Sequence, residues 1–135
     1  MTKKHERNFY IKSLPDNFND WEKSVLKQWF ISNEDDLITL RFRLYDDNRC
    51  YMDIKKDIDK ESYEYGIKCK YDDIKFLLDD ISFVVKDRYK YRSDDYLFTI
   101  DIFNDGQKIF EIESKNKDIV DNFVPFNWLG KEINI

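Results

Sequence analysis

Hydrophobic and polar residues alternate along most of this chain. In Leu37-Ile38-Thr39-Leu40-Arg41-Phe42-Arg43-Leu44-Tyr45, the residues Ile38, Leu40, Phe42 and Leu44 fall on one face. Thr39, Arg41 and Arg43 fall on the other. A period of two predicts a strand, because successive side chains point to opposite faces of a sheet. Residues 6–11 alternate in the same way, with Phe9 and Ile11 opposite Glu6, Asn8 and Tyr10. So do residues 96–103, with Phe98, Ile100 and Ile102 opposite Thr99 and Asp101. Further strands are predicted over 26–32, 49–56, 60–68, 83–91 and 107–114, and Asn104-Asp105-Gly106 makes a hairpin turn between the last two. Ile74, Leu77 and Leu78 have helical spacing, behind Asp72 and Asp73, where a helix dipole favours carboxylates. Residues 16–25 and 116–123 are also read as short helices, the second stopped by Pro125.

Eight strands in so short a chain predict one antiparallel sheet, strongly curved or closed. The fold class is mainly β with short helices (α+β), in a single domain over residues 1–135. Two arrangements remain open. In one, the apolar faces form the core and the charged faces meet water. In the other, the apolar faces lie under flanking helices and loops, and the charges line the interior. Composition alone favours the first.

Composition excludes several classes. The 23 aromatic residues argue against disorder. A net charge of −5 gives no field to attract a nucleic-acid duplex. No more than three apolar residues run together, so no membrane span or signal peptide is expected. Alanine is absent, and Asp, Asn, Lys, Ile, Tyr and Phe are over-used, which suggests an AT-rich genome, cellular or viral. Cys50 and Cys69 form no metal or redox spacing. They are read as structural thiols of a reducing cytoplasm, that of a bacterial host if the genome is viral. His5 is expected to face outward without a special role, and Trp128 to pack rather than stack on a base. The runs Glu34-Asp35-Asp36, Asp46-Asp47 and Asp79-Asp80 read as solvated turns.

The charged faces carry the chemistry. Arg41 and Arg43, Lys86 and Arg88, and Glu111 and Glu113 are like-charged pairs two residues apart on one strand face. Lys60 and Glu64 share a face, as do Asp53 and Lys55, and Glu6 stands alone. Like charges side by side repel unless something between the strands needs them. A polyanion beside a divalent cation needs both sets: Arg and Lys for phosphate oxygens, carboxylates for the metal.

In order along the chain, these landmarks resemble the CYTH superfamily, the triphosphate tunnel metalloenzymes. The likeness rests on Glu6-Arg7-Asn8-Phe9-Tyr10-Ile11 with Leu14-Pro15, Gln28-Trp29-Phe30-Ile31, Arg41-Phe42-Arg43 and Ile54-Lys55. It continues through Lys86-Asp87-Arg88-Tyr89, Ile100-Asp101-Ile102-Phe103, Glu111-Ile112-Glu113 and Trp128-Leu129-Gly130-Lys131-Glu132-Ile133. The resemblance implies an eight-stranded antiparallel tunnel barrel with its charges inward. It implies Arg41, Arg43, Lys55, Lys60, Lys86 and Arg88 as a phosphate-binding set. It implies Glu6, Asp101, Glu111 and Glu113 as ligands of Mg²⁺ or Mn²⁺, and Glu6 and Glu64 as catalytic carboxylates.

The chain also departs from the family. The signature Glu-x-Glu-x-Lys reads Lys4, Glu6 and Asn8 here. The Arg-x-Glu-x-Glu strand reads Lys60, Ser62 and Glu64, and an acidic position before Asp101 holds Thr99. The basic residues survive better than the acidic ones, which puts the metal in doubt. The resulting expectation is a protein that binds a phosphate-rich small molecule: a nucleotide, a polyphosphate or a cyclic oligonucleotide signal. Hydrolysis would be weak or absent, as in a sponge or sensor. The alternatives are a metal-dependent triphosphatase acting on thiamine, inorganic or nucleoside triphosphate, a class IV adenylyl cyclase, and a plain structural module.

Overall fold

A computed structural model describes residues 2–32 and 38–134. Nine strands form one antiparallel sheet: β1 (Thr2–Ile11), β2 (Glu22–Phe30), β3 (Ile38–Tyr45), β4 (Cys50–Ile58), β5 (Glu61–Cys69), β6 (Phe83–Arg92), β7 (Leu97–Phe103), β8 (Lys108–Ser114) and β9 (Leu129–Ile133). Two short helices, α1 (Tyr71–Leu78) and α2 (Lys117–Asp121), accompany them. The strand order is β5-β4-β3-β2-β6-β7-β8-β1-β9, and a further β5–β1 pairing closes the first eight strands into a barrel. β1 makes that closure because it is long: Thr2–His5 pair with β5, while Asn8–Ile11 pair with β9.

The apolar core lies outside the barrel wall. Phe9, Tyr89, Ile100, Phe110, Ile112 and Leu129 are buried together under Leu14, Phe18, Trp21, Ile119, Phe123 and Trp128 from the flanking segments. Trp128 packs edge-on to Phe110 and stacks on Phe126. Arg7 points to the same side. Its guanidinium donates to the Val120 and Phe123 carbonyls at the C-terminal end of α2 and pairs with Glu132 of β9 at 2.8 Å. Among the described residues the opposite part of the wall has no such cover: the outward Ile38, Ile54, Ile58, Tyr65 and Ile67 of β3–β5 are each more than 40% exposed. The expectation that flanking elements shelter the apolar faces therefore holds for one side only.

The sequence reading needs further corrections. Of the helix expected over 16–25, only Phe18–Asp20 makes a 3₁₀ turn; from Glu22 the chain is extended. Pairing with β3 on one side and β6 on the other overrides the local helical pattern. The ninth strand was not foreseen, because Leu129–Ile133 is short and breaks its own alternation. His5 does face away from the barrel interior, but it is buried rather than solvated. The first acidic run, 34–36, lies outside the described residues. Cys50 and Cys69, without meaningful spacing in sequence, stand opposite one another on β4 and β5.

Gly66 shows how tightly the inner wall is built. A Cβ there would stand 2.7 Å from Asp53 Oδ1, and that carboxylate is held in place by Arg41 and Arg43. Gly66→Ala is expected to destabilise the fold by about 1–3 kcal/mol, read from chemical denaturation. An unchanged midpoint would show that Asp53 is free to shift.

Candidate functional site

Alternation puts the odd residues of β3 and β4 and the even residues of β6 inside the barrel, where they enclose a cavity of about 470 Å³. That volume is in the range of small-molecule sites. Nine basic and four acidic side chains line it, so the interior carries a surplus of positive charge in a chain whose total is −5. Most of the charges fall into three groups, Arg49, Lys90 and Arg92 standing apart from them.

In the first, Asp101 of β7 accepts two hydrogen bonds from Arg88, at 2.9 and 3.0 Å, and sits 2.8 Å from the Lys86 ammonium. Burial works against the Asp101 carboxylate, but the paired Arg88 outweighs it and holds its pKa below the usual range. In the second, the buried Asp53 pairs with Arg43 and with Arg41, at 3.4 Å for the latter. Both guanidiniums also reach Glu64, at 3.3 and 3.5 Å. Burial of Glu64 is likewise outweighed, first by Arg41, and its pKa is lowered.

The third group is acidic. Glu6, Glu111 and Glu113 each bring a carboxylate oxygen within 4.8 Å of the others. Lys55 reaches Glu6 at 3.2 Å, and Lys4 pairs with Glu113 and lies 3.8 Å from Glu64. Burial, with Glu111 alongside, pushes Glu6 up to about 8. Burial also opposes the Glu111 charge, but Lys55 and Lys4 outweigh it and hold that carboxyl at about 2. One oxygen of Glu6, Oε2, is buried without a hydrogen-bond partner. A buried carboxylate oxygen in that state needs a proton or a cation. The three carboxylates therefore fit one divalent ion. Glu113 is shared with the Lys4 ammonium, which already supplies a positive charge on that side.

Of the residues singled out in the sequence, Arg41, Arg43, Lys55, Glu64, Lys86, Arg88, Asp101, Glu111 and Glu113 line the one cavity. Glu6 is not among them: it lines a second, smaller cavity of about 220 Å³, which shares Asn8 with the first. Two residues stand elsewhere than expected. Lys60 lies in the exposed β4–β5 turn, outside the main cavity, and its backbone carbonyl accepts from the Glu6 N–H at 2.9 Å. β5 begins one residue later than the strand read over 60–68, because the turn takes in Lys60 behind Asp59, whose φ is 53°. Asp101 is occupied by Lys86 and Arg88 and does not join the Glu6 group.

The sequence reading missed Arg49, Lys90, Arg92, Tyr45 and Tyr51, which also line the cavity. Lys90 and Arg92 continue the two-residue series of Lys86 and Arg88 along β6, so the signal was present. Arg49 sits in a turn, where periodicity says nothing.

No family model matches the sequence, and no curated protein matches it. Solved structures do. The inorganic triphosphatase NE1496 superposes with a TM-score of 0.67 at 26% identity, covering 98% of this chain and 87% of that one. A conserved hypothetical protein of Pyrococcus furiosus gives 0.64 at 14% identity, covering 93% and 81%. A protein of Vibrio parahaemolyticus, provisionally assigned as an adenylate cyclase, gives 0.55 at 13% identity, covering 84% and 78%. The fold is CYTH-like: a closed eight-stranded antiparallel barrel with one extra strand and two short helices.

Two lysines make the site sensitive to pH. Burial lowers Lys86 and Lys90 to about 8, and the neighbouring Arg88 adds to both shifts. Deprotonation removes positive charge from the cavity, so metal-free affinity for tripolyphosphate is expected to fall as pH rises through about 8. The same shifts act oppositely on the empty fold. Above about 8 the unfolded chain holds more protons at these positions, so their contribution makes stability rise towards the ordinary lysine pKa. Calorimetry at pH 7 and pH 9 checks the binding; equal affinities would show that neither lysine meets the anion.

Proposed function

We propose that this chain binds a phosphate-rich small molecule in the basic cavity, and hydrolyses it weakly or not at all, acting as a sponge or sensor. The ligand class is a nucleotide, a polyphosphate or a cyclic oligonucleotide signal. Arg41, Arg43, Lys55, Lys86 and Arg88 supply charged donors for phosphate oxygens, and Lys90 adds a cation that makes no ion pair among the described residues. One observation carries the reading: the Lys4 ammonium is seated against Glu113 and close to Glu64, within the acidic group. It repels a metal ion brought to the same side, strongly in a poorly solvated interior. It supplies charge for binding but no ligand positions with which to orient a nucleophile.

A second reading, a metal-dependent triphosphatase, is favoured by the Glu6, Glu111 and Glu113 group with its orphaned oxygen and by the likeness to the inorganic triphosphatase. Those three side chains would hold Mg²⁺ or Mn²⁺, which supplies charge neutralisation and an activated water in phosphoryl chemistry. Glu64, held by Arg41 and Arg43, would take part only as a charged neighbour of the phosphates. An adenylyl cyclase reaction would draw on the same metal ligands.

Phosphate release from ATP, thiamine triphosphate and tripolyphosphate with Mg²⁺ or Mn²⁺, measured beside binding by calorimetry, separates the two. Tight binding with turnover far below ~1 s⁻¹ supports the first; turnover at or above that rate supports the second. Arg43→Ala and Arg88→Ala are each expected to weaken triphosphate binding about tenfold or more. Unchanged affinity in both would remove these residues from the site. The double change Lys4→Glu with Asn8→Lys is expected to raise Mn²⁺-dependent hydrolysis above that of the natural chain. The gain should be modest, because Ser62 and Thr99 still lack carboxylates and such groups act together. No gain would show that Lys4 is not what limits the reaction.

A further inference from the structure

Cys50 opens β4 and Cys69 closes β5, and the strand register sets them directly opposite one another. Both are free thiols, and their sulfurs stand 3.4 Å apart. A disulfide bond is about 2.05 Å long, so the sulfurs need approach by only about 1.4 Å, within reach of small rotations of two side chains. The two thiols differ in access: Cys50 is fully buried, whereas Cys69 is partly exposed. We propose that Cys50 and Cys69 form an oxidisable dithiol, a modification site that closes to an intramolecular disulfide with oxidants of the peroxide class.

The order of events follows from burial. Burial, together with the neighbouring Cys69, pushes the Cys50 thiol up to about 12, so it is the poorer first nucleophile. The Cys69 sulfur attacks one peroxide oxygen and the O–O bond breaks. The displaced hydroxide takes a proton to become water, and Cys69 becomes a sulfenic acid. The Cys50 sulfur then attacks the Cys69 sulfur, the S–S bond forms and the S–O bond breaks. The departing hydroxide takes up the Cys50 proton and leaves as a second water. Two thiols lose two electrons and one peroxide gains them. The bond ties the start of β4, where Arg49 and Tyr51 on either side of Cys50 line the cavity, to the end of β5, just ahead of α1.

The inference is independent of what the cavity binds. Its test treats the purified full chain with equimolar hydrogen peroxide, then alkylates it under unfolding conditions and weighs it. The expected result is a loss of two hydrogens, no alkyl groups, and a linked peptide pair containing Cys50 and Cys69. Dithiothreitol should restore two alkylated cysteines. In Cys69→Ser, and in Cys69→Ala as a second variant, no loss of two hydrogens is expected and Cys50 should remain alkylatable. Two alkylatable thiols after peroxide would overturn the proposal. So would disulfide found only between chains, or a sulfinic acid on Cys69 without the link.

Discussion

Ion pairs between neighbouring strands make this barrel's interior tenable. A carboxylate taken out of water costs several kcal/mol unless cations and donors meet it. Asp101 on β7 is met by two cations of β6, and Asp53 on β4 by two cations of β3. Glu64 on β5 is reached by those same two arginines and by Lys4 of β1. Because the partners sit on different strands, the pairs also specify register. A slip of one residue would turn a whole row of charges to the outer wall and bring apolar side chains inward. Lining and register therefore support one another.

A charged interior leaves the hydrophobic effect to work elsewhere. The core forms on the outer surface of β1, β6, β7 and β8, where the segments before β2 and after β8 fold back and press aromatic rings against the wall. This accounts for the many aromatic residues in a chain of modest hydrophobic content. Arg7 belongs to that outer layer. It ties α2 and β9 to β1 and has no part in the basic interior, although it sits one residue from Glu6.

Much of this was legible in the sequence because a closed sheet exposes its period directly. The Arg41–Arg43 and Lys86–Arg88 pairs could be placed on one face each, and six of the eight barrel strands were located to within two residues at either end. The first strand's start and the whole first part of β2 were missed. There the local pattern is not alternating, and pairing with two neighbours decides the conformation. Which face turns inward was not set by periodicity, since both arrangements alternate alike. Lys60 failed for a related reason: alternation counts residues, and the left-handed Asp59 shifts where the strand begins. The meeting of Cys50 and Cys69 depends on hairpin register, which spacing alone does not reveal.

The separation between holding a phosphate chain and breaking it comes down to what each positive charge is attached to. Phosphate oxygens respond to charge and to donors, and an ammonium or guanidinium meets both needs. Hydrolysis asks more, because a water must be acidified and aimed, and a metal ion does this through open ligand positions. In this chain, Lys4 presents an ammonium at Glu113 on the same strand face as Glu6, and Asn8, further along that face, brings no charge. Both differences change the charge pattern along one side of β1. They leave the arginines of β3 and β6, on the other side of the cavity, in place. On the reading proposed above, the change moves the cavity from chemistry towards retention. A binder needs the surplus of cations, whereas an enzyme also needs enough uncommitted carboxylates to hold its metal.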